Sequence, residues 1–544
     1  MENKSEGNTL KVKSKKPKSY KSRRSSRRST RQTRRRSSRQ TRRRSSRQTR
    51  RRSSRRSSRR SSRRSSRRSR NISHKKENIS LKNLKNSPKT GDCITRSKTQ
   101  LKKWQTKVVK YMDKNDALLV VHSTGLGKTL TAVAVSQCFL DKNELNKVIF
   151  VGPPGLISNF KKQMTEKYMV ENEDRYTFYS FDKFFRQEKE GEPILCDKNT
   201  LLIVDEAHNL RNAETKIDKE KNIEKLTRVN SILNCAMRAS KRLLLTATPL
   251  VNKIDDFIPL INMIYGRRIV GTARQEKLGI CENKFDIKLL RTLLKNKIDI
   301  VSTSEDSDKF PKKFIYHVPL PMTESYFKRY KNIIETSSEK EDVNSLFENP
   351  SSFYNGHRRA VNSAGKEYFS SKIERMIPII KDQKAVIYTN WLEFGIKPIE
   401  ETLKKLNIRY EIITGSTTRR KRQDIVNSFN DNEFQILVIT KAGSEGLDLH
   451  EVRNMVILDP VWNYAGLEQI IGRVARYESH SRLPKSQRNV NIYLLISTEP
   501  GKTTWENKKD EETVSGDRIL YNIIAKKKVL TEKIIEILDK ECSI

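Results

Sequence analysis

The chain has 544 residues, a formal net charge of +48 and 35% hydrophobic residues, which allows two or three domains at about 100 to 200 residues each. Residues 1–76 hold 34 Lys and Arg against Glu2 and Glu6, a balance of +32, and leave +16 for the other 468 residues. No apolar run approaches the roughly 18 to 20 residues that cross a bilayer, and charge stands where a secretory signal needs apolar residues, so a spanning or secreted class is excluded and no membrane partner is expected. Cys93, Cys138, Cys196, Cys235, Cys281 and Cys542 form no C-x-x-C pair. That predicts no zinc site, no disulfide framework, and six reduced thiols in an intracellular or particle-enclosed setting.

In chain order, the first segment is built from Arg and Ser. RRSS units from Arg23 surround three copies of RQTRRRSS between Arg31 and Ser54 and run on to Arg70. With nothing apolar to bury, residues 1–95 are predicted to be a disordered basic tail. Such a block binds polyanions by releasing their counterions, or else is a repeat expansion with no selected role. Phosphorylation of its serines would turn it from cationic to mixed charge.

Short apolar runs follow, with helix-compatible stretches between them, the pattern of a buried parallel sheet. Strands are predicted at 117–121, 148–151, 201–204 and 243–246, and again at 385–388, 410–413, 436–439, 455–458 and 490–496. Residues 252–373 read as polar and helical, with few strand signals. The reading is therefore a first lobe at 96–251, a linker or insert at 252–373, a second lobe at 374–500 and a helical extension at 501–544. In the extension, Ile523, Ile524, Ile534, Ile535 and Leu538 are expected to pack on the second lobe.

Chemistry begins where the run ALLVV meets His122-Ser123-Thr124-Gly125-Leu126-Gly127-Lys128-Thr129. A glycine-rich turn between strand and helix lets backbone N–H groups face phosphate, aided by the helix dipole. In that context Lys128 reaches the β- and γ-phosphates and Thr129 ligates Mg²⁺. His122 stands where the usual pattern has Gly. LLIVDEAH then puts Asp205 and Glu206 past the end of a second apolar strand, where Asp205 can hold Mg²⁺ and Glu206 can polarise the attacking water.

These residues resemble the superfamily 2 DEAH-type helicases and ATPases. The resemblance implies two tandem RecA-like parallel-sheet domains of α/β class, with a helical insert and the disordered tail. It also implies that Gln105 reads the adenine edge, that Val151–Phe160 is a motif touching the nucleic-acid backbone, and that Thr246-Ala247-Thr248 links hydrolysis to movement. In ILVITKAGSEGLDLHEV, the loop holding Gly443, Gly446 and Asp448 resembles the motif that touches nucleotide and nucleic acid. Gln469, Arg473 and Arg476, at i, i+4 and i+7, are expected on one helix face. The resemblance makes that face the arginine-finger helix, opposite ATP.

A narrower likeness rests on GRVARYESHSRLPKSQRNVNIYLL, on His122 before the loop, on FYNGHRRAVN and on SGDRILYNIIAKKK. These look like the poxvirus nucleoside triphosphate phosphohydrolase I and early transcription factor small subunit group of large DNA viruses. The sequence after the final arginine differs from that of Swi/Snf remodellers. The likeness implies an ATP- and Mg²⁺-dependent translocase on nucleic acid, DNA before RNA. It further implies viral transcription, a viral RNA polymerase as partner, and a place in the virion or a cytoplasmic viral factory. Two alternatives stay open: an RNA helicase, since D-E-A-H is shared, and a virion nucleic-acid-condensing protein with a vestigial ATPase body. No wedge or hairpin for strand separation stands out, so translocation without unwinding is expected. His480 is read as structural.

Overall fold

The structure is a computed structural model. It describes residues 93–544 apart from 96, 169, 171, 212–216, 219–222, 225–226, 272–282, 303–307, 337–354, 366–369, 445 and 507–514. The Arg/Ser tail and the expectations attached to it lie outside the described residues.

The first lobe is built on a six-stranded, all-parallel sheet. Its strands are β1 (Ala117–His122), β2 (Lys147–Val151), β3 (Tyr176–Tyr179), β4 (Thr200–Asp205), β5 (Lys241–Thr246) and β6 (Ile298–Val301), in the order β6-β1-β5-β4-β2-β3. Successive side chains of a strand point to opposite faces, and β1 shows the consequence. Ala117, Leu119 and Val121 enter one hydrophobic core, while Leu118 and Val120 enter another on the opposite face. A sheet buried on both faces requires continuous apolar strands, which is why ALLVV and LLIV are legible. Helices α1 (Lys103–Lys114) and α2 (Lys128–Asp141) cover one face.

The second lobe repeats the plan with β7 (Lys312–Pro321), β8 (Ala385–Thr389), β9 (Tyr410–Ile413), β10 (Ile436–Thr440), β11 (Asn454–Ile457) and β12 (Asn489–Thr498), ordered β7-β12-β11-β8-β10-β9 and all parallel. Helices α3 (Ser371–Ile380), α4 (Tyr464–Ile471) and α5 (Gly516–Cys542) belong to this half of the sequence.

The reading of 252–373 as polar and helical is corrected at two places. Helices do form at Ile258–Tyr265, Ile287–Leu294 and Glu324–Thr336, but β6 joins the first sheet and β7 the second. Asp299 interrupts the apolar run of β6, and β7 is an edge strand whose first six residues are exposed, so neither carries the buried-strand pattern. The extension is corrected too. Tyr521 and Ile524 of α5 lie in a core of the second lobe, whereas Ile534, Leu538 and Cys542 lie in a core of the first. Thirteen helical residues rise about 20 Å, enough to cross from one lobe to the other. The crossing ends on β6, where the Ile544 N–H donates to the Ile298 carbonyl at 2.9 Å and the Ile300 N–H to Ser543 Oγ at 3.1 Å.

The expectation of six reduced thiols is also corrected. Cys93–Cys138 and Cys196–Cys235 are disulfides, with Cα atoms 5.1 and 5.3 Å apart. They are 45 and 39 residues apart in sequence, a spacing set by tertiary packing that no local motif announces. Cys542 is a buried thiol. Among the described residues no helix is long and apolar enough to cross a membrane.

Candidate active site

The loop after β1 needs two left-handed residues, and it has glycine at both: Gly125 at φ +87° and Gly127 at φ +77°. Gly127 also sits where a side chain would meet Gln105 Nε2 at 2.5 Å. Gln105 is buried; its Nε2 donates to the Gly127 carbonyl at 3.1 Å and its Oε1 accepts from the Lys102 N–H at 2.8 Å. Neighbouring Trp104 donates from Nε1 to the Leu126 carbonyl at 3.1 Å. Helix α1 therefore holds the loop from behind.

Lys128 opens α2 and donates to the carbonyls of His122 at 2.7 Å and Ser123 at 3.3 Å. Burial pushes its ammonium pKa down, Arg476 and Arg473 push the same way, and Glu206 and Asp205 oppose them. Thr129 beside it is buried. His122 has a different setting from the rest of the loop. Its ring is fully buried and meets Asp299 Oδ2 at 2.7 Å, while Asp299 Oδ1 pairs with Lys107 at 2.9 Å. Only its backbone faces Lys128. Leu126 likewise turns inward, packing with Trp104, Val301 and Phe310.

Asp205 ends β4 and is 2% exposed. Burial and the adjacent Glu206 push its pKa up to about 7, against the pull of Lys128. Its Oδ1 accepts the Glu206 N–H at 2.9 Å. Glu206 adopts φ +52°, a conformation uncommon for residues other than Gly and one that proteins tend to hold at functional positions. His208 ties this turn to β5 through Nδ1, 3.0 Å from Thr246 Oγ1, and Thr246 Oγ1 also accepts the Thr248 N–H at 3.1 Å.

The second lobe closes directly on this loop. Gly472 abuts Thr124 so closely that an added Cβ would lie 2.8 Å from the Thr124 Cβ, and one on Gly125 would lie 3.2 Å from the Tyr477 nitrogen. Gln469 Nε2 is 3.2 Å from His208 Nε2. The expectation that Gln469, Arg473 and Arg476 share a helix face is corrected: α4 ends at Ile471, Arg473 lies on the turn after it and Arg476 on irregular chain beyond that turn. Close approach to Thr124 requires glycine at 472, and that glycine also caps the helix. Arg476 Nε donates to the Gly472 carbonyl at 2.9 Å and Nη1 lies 3.7 Å from Asp448 Oδ1. Burial lowers the pKa of Arg476. Burial works against the charge on Asp448, yet His450 and Arg476 outweigh it and hold the carboxyl at about 2. Gly446, at φ +76°, brings its loop across the gap towards the Gly155 carbonyl.

Beside the arginines runs a cleft of about 420 Å³ between the lobes. Pro153, Gly155 and Leu156 of the first lobe and Lys441, Ser444, Gly446, Trp462 and Asn463 of the second line it. Sequence reasoning missed the segment Asp459-Pro460-Val461-Trp462-Asn463. Its signal was an aromatic residue and a helix-capping Asn between an apolar strand and α4; Asn463 Oδ1 accepts the Gly466 N–H at 2.8 Å. His480 is buried between Ser479 Oγ and the Val452 carbonyl, each at 2.9 Å, as a packing residue would be.

Residues 92–251 match the family described as "Type III restriction enzyme, res subunit", residues 186–364 the SNF2-related domain, and residues 371–478 the helicase conserved C-terminal domain. The chain is 32% identical over 454 residues to a protein of Acanthamoeba polyphaga mimivirus named "Putative ATP-dependent RNA helicase L538", covering 80% of this chain and 95% of that one. It belongs to the superfamily 2 helicases. This superfamily 2 chain is thus an ATP hydrolase of the helicase and translocase type. It is also 24% identical over 506 residues to nucleoside triphosphatase I of Melanoplus sanguinipes entomopoxvirus, covering 78% of each chain. To the "Termination factor NPH-I homolog" of African swine fever virus isolate Tick/Malawi/Lil 20-1/1983 it is 23% identical over 519 residues, covering 73% of this chain and 72% of that one.

Proposed function

We propose that the protein is a DNA-stimulated ATP translocase acting in the transcription of a large DNA virus. The observation that carries this reading is the cleft: loops of both lobes line it, and it opens directly onto the residues that surround Lys128. ATP on the Gly125–Thr129 loop would meet Gln105 and Lys128 from the first lobe and Arg473 and Arg476 from the second. Lys128 would neutralise the β- and γ-phosphates, and the arginines the charge that develops in the transition state, an effect worth about 10³ to 10⁵ in rate. Glu206 would orient and deprotonate the attacking water, with His208 and Gln469 reporting its state across the lobes.

Thr129 and Asp205 are the residues that would hold Mg²⁺. The fit rests on the donor set: a hydroxyl at the helix start, that of Thr129, and the buried carboxyl of Asp205 beside that of Glu206. A divalent cation there supplies phosphate charge neutralisation. Because the two halves of the site lie on different lobes, hydrolysis and release alternate with closure and parting, and each cycle shifts the grip on a strand in the cleft.

The transcription role is supported by the names of the entomopoxvirus and African swine fever virus relatives, which also favour a viral setting. The mimivirus relative's name favours RNA as the track. ATPase stimulation by single-stranded DNA, duplex DNA and RNA at two salt concentrations tests the choice. DNA is expected to stimulate more than RNA at both; stimulation by RNA alone would overturn the DNA reading, and equal stimulation by all three would remove the transcription argument.

A further inference from the structure

The segment Asn355–Ala360 and the residues after it carry a buried polar network. Arg358 is 4% exposed, and its guanidinium lies between two tryptophans, 4.4 Å from the ring centre of Trp462 and 5.0 Å from that of Trp391. Its Nη2 donates to the Pro460 carbonyl at 3.2 Å. Arg359 also lies over the Trp391 ring, at 4.9 Å. Four residues on, fully buried Asn362 donates to Asp459 Oδ1 at 3.0 Å and accepts from Lys372 Nζ at 3.1 Å. Asp459 also accepts from Thr389 Oγ1 at 2.6 Å and the Asn390 N–H at 2.9 Å, and Lys372 forms a buried ion pair with Asp517 of α5.

The bonds from Arg358, Asn362, Thr389 and Asn390 converge on one loop. Asp459 and Pro460 are its fixed end, Trp462 stands at the cleft, and Asn463 caps the helix that delivers Gln469 and, past Gly472, the two arginines. A planar cation between two indole faces fixes orientation as well as charge: the guanidinium offers two flat faces and a directed fork, which an ammonium does not.

We propose that Arg358, with Asn362, is a positioning residue for nucleic-acid-stimulated hydrolysis. It holds the 459–463 loop so that occupancy of the cleft at Trp462 is carried into the placement of α4 and hence of Arg473 and Arg476. The proposal rests on the reading of the cleft as the nucleic-acid path. The observation behind it is the run of contacts from Trp391 through Arg358 and Trp462 to the α4 cap.

Its test is the ATPase of the full chain, with and without DNA, for Arg358→Met, Arg358→Lys and Trp391→Leu, with thermal unfolding run in parallel. Trp391 lies off the cleft, so Trp391→Leu removes one slab of the sandwich without touching a residue of the cleft wall. The stimulated kcat is expected to fall about tenfold in Arg358→Met and Trp391→Leu, with KM for ATP unchanged, and to recover only in part in Arg358→Lys. The DNA concentration giving half-maximal stimulation is expected to rise. Variants that melt earlier but keep the stimulated kcat per folded molecule would overturn the proposal and leave the cleft reading standing. A wild-type chain that no nucleic acid stimulates would overturn both.

Discussion

Replacing Gly472 with Ala attacks the closure of the two lobes where Gly472 abuts Thr124. The added methyl carbon would lie 2.8 Å from the Thr124 Cβ, whereas relaxed carbon contacts are about 3.5 Å or longer. Rotation about χ1 cannot relieve this, because the Cβ position is fixed by the backbone. The lobes must therefore part by roughly 0.7 Å or more, carrying Arg473 and Arg476 away from the phosphate loop. Misplacement of about 1 Å costs up to about 10²-fold in rate, so kcat should fall about 10- to 100-fold, or roughly 1.4 to 2.7 kcal/mol of barrier. Steady-state ATPase at saturating ATP measures it, and the same substitution on a Thr124→Gly background supplies the control. There the clash is gone, and the cost of Gly472→Ala should shrink to within about twofold, a non-additivity expected only of touching residues. An unchanged kcat in Gly472→Ala, or the same cost on both backgrounds, would refute the reasoning.

Leu538→Ala removes a side chain 1% exposed in the first lobe's core and should cost about 2 to 5 kcal/mol in denaturant unfolding, while Val529→Ala, at 67% exposure, should change stability by no more than about 0.5 kcal/mol. Reduction of Cys93–Cys138 and Cys196–Cys235 should lower the melting temperature, each bridge being worth about 4 kcal/mol on loop length alone; thiol counting under denaturing, non-reducing conditions checks that both pairs are closed. Burial pushes His357 down to about 4, against about 6.5 in an unfolded chain. Between those values the unfolded chain takes up a proton that the folded one refuses, so this group's contribution to stability is complete above pH 6.5 and is lost as pH falls towards 4. Unfolding of His357→Asn across pH 4 to 7 should show a shallower acid slope than wild type.

Where burial on both sheet faces demands continuous apolar residues, as in β1 and β4, strand and loop chemistry were readable together: ALLVV predicted the start of the phosphate loop and LLIV the position of Asp205. The missed elements lack that signature for definite reasons. Asp299 breaks the run of β6 because it faces His122 and Lys107, and β7 is exposed because it is an edge. The composition of α5 told of packing but not against what, since a helix with apolar residues at mixed spacings fits one lobe or two. The candidate residues of the 122–129 loop, Asp205, Glu206, Gln469 and the arginines could be named because each belongs to a short contiguous pattern. The inward turn of His122, the break of α4 at Gly472, and the Arg358 sandwich depend on residues far apart in the chain, and nothing local encodes such pairs. The same holds for the two disulfides.

The account stands most directly on Glu206, which sits at φ +52° in the turn after β4 and to which the proposal assigns the attacking water. Hydrolysis and ATP binding are measured for wild type and Glu206→Gln with duplex DNA present. The account predicts that the variant binds ATP as wild type does and turns over at least about 10²-fold more slowly. Turnover equal to wild type would contradict it.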